Sequence, residues 1–134
     1  MFSFIKKLLI FLLLSLGFNS YAEDVFYCTT ELSTGFGMKD GVWETRKYKD
    51  DRYTIKFNDD YSTLSGLQTF HHFCEQSRTW DESSPIVCSP LGQMETFIFN
   101  KDLKRFIYMS GTYTGYIDNL DFSNHMEAGT CESF

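Results

Sequence analysis

The segment HHFC, residues 71–74, sets two imidazoles and a thiol side by side, and these are donor types that zinc takes. Zinc needs three or four donors converging on one point. On a strand, successive side chains leave on opposite faces, so His72 shares a face with Cys74 and His71 does not. The third histidine, His125, is distant in sequence. A partly exposed strand histidine is therefore expected, with no metal. No G-x-S-x-G turn presents a serine nucleophile. A cysteine nucleophile requires an unpaired thiol, and the count of four is even. A glycosidase-like carboxylate pair is set by space rather than by sequence spacing, which leaves Asp81, Glu82, Asp118 and Asp121 as candidates. In polar loops such residues are expected to be solvated. Neither Asp118-x-x-Asp121 nor Lys49-Asp50-Asp51 has the oxygen spacing of an EF-hand. GFGMKDG, residues 35–41, lacks the strand–loop–helix context of a phosphate cradle. No catalytic residue, metal ligand or cofactor is assigned on these grounds.

The N-terminus supplies the compartment. Lys6 and Lys7 precede an apolar run of 11 residues, Leu8 to Phe18, and Ser20-Tyr21-Ala22 follows with small residues where a signal peptidase reads. This predicts a signal peptide over 1–22, cleaved after Ala22. The run is about half of the roughly 20 residues that span a bilayer. The mature chain, 23–134, is then a single domain of 112 residues. The leader holds two lysines and no acid, so the mature chain has 10 Lys+Arg against 18 Asp+Glu, a net charge of −8. An acidic domain without a basic patch repels phosphate backbones and anionic membranes, so neither nucleic acid nor a membrane surface is an expected partner. An exported location, periplasmic or secreted, is expected.

In such a chain Cys28, Cys74, Cys88 and Cys131 are expected to form disulfides. Four cysteines allow three pairings. Cys28–Cys131 is favoured because both lie near the ends of the mature chain, and domain termini are often close. Cys74–Cys88 brackets a short polar loop. The loop-closure model assigns about 3 kcal/mol to the shorter loop and about 4.7 kcal/mol to the longer. No C-x-x-C is present, which argues against a zinc knuckle or a thioredoxin-type site.

The elements that hold these residues are strands. Leu, Ile and Val total only 14 in the mature chain, against 10 Phe and 19 aromatics, a composition suited to pleated, half-buried surfaces. Tyr53, Ile55 and Phe57 alternate with Arg52, Thr54, Lys56 and Asn58, a period of two. Asn58-Asp59-Asp60 reads as a hairpin turn into Tyr61–Gly66, and Asn100-Lys101-Asp102 as a turn between FIF and RFIYM. Further strands are expected at Asp24–Glu31, Val42–Tyr48, Thr69–Glu75, Ile86–Ser89, Glu95–Asn100, Arg105–Tyr113 and Ala128–Ser133. The first is expected to break at Gly35 and Gly37, with those glycines taking positive φ. Tyr116–Met126 is expected as loop or short helix. The fold class is all-β: a small antiparallel barrel or sandwich of about 7–8 short strands, stapled by two disulfides.

The order FYC…STGF, RYTIKF, two central cysteines, FIFN…RFIY and a terminal GTCESF resembles a group of small exported proteins of bacteria and their phages. The resemblance spans nearly all of the mature chain. It implies an exported domain with two disulfides in a group with no assigned activity, and nothing about chemistry. Cys28 and Cys131 match its pattern.

Aromatics in expected loops are the remaining signal: Phe36, Trp43, Trp80, Tyr113 and Tyr116. Trp and Tyr are enriched at binding surfaces, although in a small domain they more often cover the core. Phe134 ends the chain as an aromatic often ends an outer-membrane barrel, but Glu132, Thr130, Ala128 and Met126 do not form a lipid-facing stripe. Three function classes follow. The favoured one is a non-enzymatic binding module for an unknown envelope or extracellular protein, with an exposed apolar patch. A small-ligand carrier would have an aromatic-lined cavity, and an enzyme a cleft with a shifted carboxylate or histidine.

Overall fold

The computed structural model describes residues 23–67, 71–76, 85–111 and 123–134. Among these residues nine strands are formed: β1 Asp24–Lys39, β2 Val42–Arg46, β3 Arg52–Phe57, β4 Thr63–Ser65, β5 His72–Gln76, β6 Ile86–Ser89, β7 Met94–Asn100, β8 Arg105–Gly111 and β9 Ser123–Ser133. All pair antiparallel, and β1 also pairs with β9. The sheet thus closes into an eight-stranded barrel, with β2 added beside the far half of β1. No helix occurs among the described residues.

Alternation along each strand sends one set of side chains inward. Phe26, Phe57, Phe97, Phe99 and Phe106 fill the lower barrel, the end that carries the β3–β4 and β7–β8 turns. Phe57 stacks on Phe99 with ring centroids 5.4 Å apart, and Phe97 on Phe106 at the same distance. Phe26 meets Phe99 edge-on at 4.9 Å. Offset and edge contacts of this kind add to simple area burial.

Both disulfides have the expected partners, Cys28–Cys131 and Cys74–Cys88. Each joins residues directly opposite in the ladder, with Cα–Cα distances of 3.9 and 4.0 Å, and all four sulfurs point into the barrel. The polar turns are local. Asn58 Oδ1 accepts from Thr63 N, and Asn100 Oδ1 accepts from the backbone N–H groups of Asp102 and Leu103.

Three expectations need correction. β1 does not break at Gly35 and Gly37, and neither has positive φ. A Cβ on Gly35 would lie 1.9 Å from the Asn124 carbonyl oxygen, and one on Gly37 would lie 2.1 Å from Arg46 Nε. Glycine serves close approach there. The positive φ values sit at the next turn, Asp40 at 51° and Gly41 at 77°. That Asp-Gly pair between strands is the stronger hairpin signal, and the sequence reading passed over it. β9 begins at Ser123, so Ser123–Met126 is strand rather than loop or helix; Tyr116–Phe122 lies outside the described residues. His72 is fully buried rather than partly exposed, although it shares the inward face with Cys74 as expected.

Candidate functional site

A bulge in β1 decides what faces outward. The β1–β9 register shifts between Thr30 and Leu32. Phe26, Cys28 and Thr30 point inward before it, whereas Gly35 and Gly37 take the inward positions after it. Without the extra residue, Leu32, Thr34 and Phe36 would continue the inward series. The bulge turns them out, and re-aiming side chains is what bulges do.

The outward side chains of β7, β8, β9 and β1 then fall into rows across the sheet. One row is Ile98, Ile107, Ala128 and Leu32. The next is Thr96, Met109, Met126 and Thr34. Met94, Gly111, Asn124 and Phe36 follow toward the upper rim. None of these residues is charged, in a chain with 12 Lys+Arg and 18 Asp+Glu. Exposure is 73% for Leu32, 56% for Phe36, 47% for Met94 and Met126, and 41% for Ile107. The face holds an upper hollow of about 510 Å³ lined by the three methionines and Phe36. A lower one of about 560 Å³ is lined by Leu32, Ile98, Ile107 and Ala128, with Glu31 and Arg105 at its edge. At strand and residue spacings of about 4.8 and 3.4 Å, four strands and three rows cover on the order of 300–400 Å². That matches the largest apolar patch a monomer ordinarily exposes.

Of the aromatics singled out in the sequence, Phe36 belongs to this face. Trp43 is also exposed, on β2, where it pairs in register with Met38. Trp80, Tyr113 and Tyr116 lie outside the described residues, as do Asp81, Glu82, Asp118 and Asp121.

The barrel interior carries a second constellation above the phenylalanines. Glu127 accepts hydrogen bonds from Thr30 Oγ1 at 2.9 Å and Tyr53 OH at 2.6 Å, and His125 Nε2 lies 3.4 Å from its other oxygen. Glu95 accepts from Tyr108 OH and faces His72 Nε2 at 3.7 Å. The His125 ring packs against Tyr48 and edge-on against Tyr108, at centroid distances of 5.1 and 5.8 Å. Burial, then the hydrogen bond to Glu127, pushes the Tyr53 hydroxyl well above its ordinary range. Both glutamates are buried, so their acceptor capacity is directed at the protein's own hydroxyls. Sequence reading missed these carboxylates, though parity pointed to them. Glu95 alternates in step with Phe97 and Phe99, and Glu127 with Gly129 and Cys131. Among the described residues, no three of His, Cys, Asp and Glu converge as a metal site. Comparison of the chain with protein-family models, with curated proteins and with solved structures finds no match.

Proposed function

We propose that this chain is an exported interaction module, periplasmic or secreted, that docks an apolar surface of another envelope or extracellular protein. The docking surface is the outer face of β7, β8, β9 and β1, and no catalysis is involved. The carrying observation is that this face is uncharged and exposed over three successive ladder rows. Its area suits the apolar centre of an interface burying about 800 Å² per partner, completed by a polar rim. Glu31, Asn100 and Arg105 stand on that rim.

Other features support the reading. Two disulfides belong to a chain that folds where thiols oxidise, and the N-terminal pattern of basic, apolar and small residues is that of a leader. A carrier is less well supported, because phenylalanine rings occupy the lower barrel where a ligand would sit. An enzyme is less well supported, because Glu95 and Glu127 are sealed and engaged. A lipid-spanning barrel turns a polar interior inward and an apolar band outward. Here rings fill the lower half of the inside, and Arg52, Lys56, Glu75 and Glu132 stand outside.

The test is a double substitution, Ile107→Glu with Met126→Lys, expressed from the native host with its leader. We expect an unchanged circular dichroism spectrum, Tm within a few degrees of wild type, and loss of the species that crosslinks to wild type. Retention of that species by a folded variant contradicts the assignment.

A further inference from the structure

We propose that Met94, Met109 and Met126 form a binding site for a soft monovalent cation, Cu(I) or Ag(I). The sequence has five methionines, and three of them line the upper hollow on the outer face. The register brings them together. Met109 and Met126 are directly opposite across β8 and β9, where Cβ atoms stand about 4.5–5.5 Å apart. Met94 is opposite Gly111, two residues along β8 from Met109, a diagonal of about 7–8 Å. Gly111 has no side chain, and the Asn124 amide lies over it. All three leave the same side of the sheet, and each thioether has three rotatable bonds with which to converge.

The donor chemistry selects the ion. Thioethers are neutral and soft, and they suit Cu(I) rather than zinc, calcium or magnesium. The lining has no carboxylate to hold a hard cation. Its one imidazole, His125, is engaged with Glu127, Tyr48 and Tyr108, and its remaining polar groups are the neutral Asn124 amide and the hydroxyls of Thr34, Thr96 and Ser110, so the three thioethers are its soft donors. All four cysteines are in disulfides, so no thiolate on this chain competes for the ion. A thioether also keeps its lone pairs in a compartment that oxidises thiols to disulfides.

The inference does not depend on the docking proposal, because its test reads Ag(I) binding by the protein alone. Methionine to leucine keeps volume and apolarity but removes the sulfur. The test is a titration of the disulfide-intact, methyl-¹³C-methionine-labelled protein with silver nitrate in chloride-free buffer, followed by NMR. The expected result is that the Met94, Met109 and Met126 methyl resonances move together and saturate at one equivalent. The buried Met38 methyl should stay in place, and Zn²⁺ should move none of them. Met109→Leu and Met126→Leu are each expected to weaken Ag(I) binding tenfold or more, with the circular dichroism spectrum and Tm unchanged. The proposal is overturned by the absence of a saturable shift in the wild-type protein. It is equally overturned if Met38 moves with the other three, or if both leucine variants bind within tenfold of wild type.

Discussion

Glu127 shows how individual residues hold the upper barrel. Its carboxylate takes two hydroxyl hydrogen bonds, from Thr30 and Tyr53, in a site with almost no solvent. Glu127→Ala leaves those buried donors without their acceptor, at about 1–3 kcal/mol each. Destabilisation of about 3 kcal/mol is expected, measured as a lower urea midpoint with an unchanged slope. The same contact sets an alkaline limit. Burial first, and the Glu127 hydrogen bond second, raise the Tyr53 hydroxyl, and burial with the Asp24 hydrogen bond raises that of Tyr61. Unfolded tyrosine loses its proton near pH 10. Above that pH the unfolded chain binds fewer protons than the folded one, so stability falls as pH rises; below it the contribution is complete. Tm is expected to decline from about pH 10 upward, less steeply in Tyr53→Phe. A scan from pH 8 to 11.5 checks this, and equal slopes for the two proteins would contradict it. The inward pairing of His72 with Glu95 was half legible. Parity with Cys74 gave the direction of His72, but its complete burial depended on strands distant in sequence.

At the scale of elements, local patterns carried far. The alternation in Arg52–Phe57, the turn residues at Asn58 and Asn100, and both cysteine pairs appear where the chain placed them. The two staples differ in the loop they close, 103 positions apart against 14. Replacing Cys28 and Cys131 by alanine is expected to cost about 4.7 kcal/mol, and replacing Cys74 and Cys88 about 3 kcal/mol. Denaturant titration of the two variants should preserve that order. The upper half of β1 was less legible, because its glycines answer to neighbours and not to local φ. Gly35 lies against the β9 backbone, whereas open space surrounds Gly41 at φ 77°. Gly35→Ala is therefore expected to destabilise by several kcal/mol as the β1–β9 pairing is pushed apart. Gly41→Ala should cost only about 1 kcal/mol, the strain of its conformation. Similar losses at the two positions would contradict the close-approach account. The bulge beside Glu31 left no sequence signal, since nothing in Thr-Thr-Glu-Leu marks a change of parity.

For the whole molecule, closure of the barrel and the position of one bulge place Leu32, Thr34 and Phe36 beside side chains from β7, β8 and β9. Phe36 was singled out in the sequence as a loop aromatic; it stands on β1 instead, and its neighbours come from residues 94 to 128 and needed the register to be found. The outer face is the account's central claim, and it is tested most directly by position. A photoreactive amino acid is placed at Met126 or Ile107 on that face, or at Lys56 or Glu75 on the outside of β3 and β5. Each protein is irradiated in its native host. The account predicts one discrete adduct of the same mass from positions 126 and 107, and none from 56 and 75. Adducts from all four positions, or from 56 and 75 alone, would show that this face is not where the protein makes its contact.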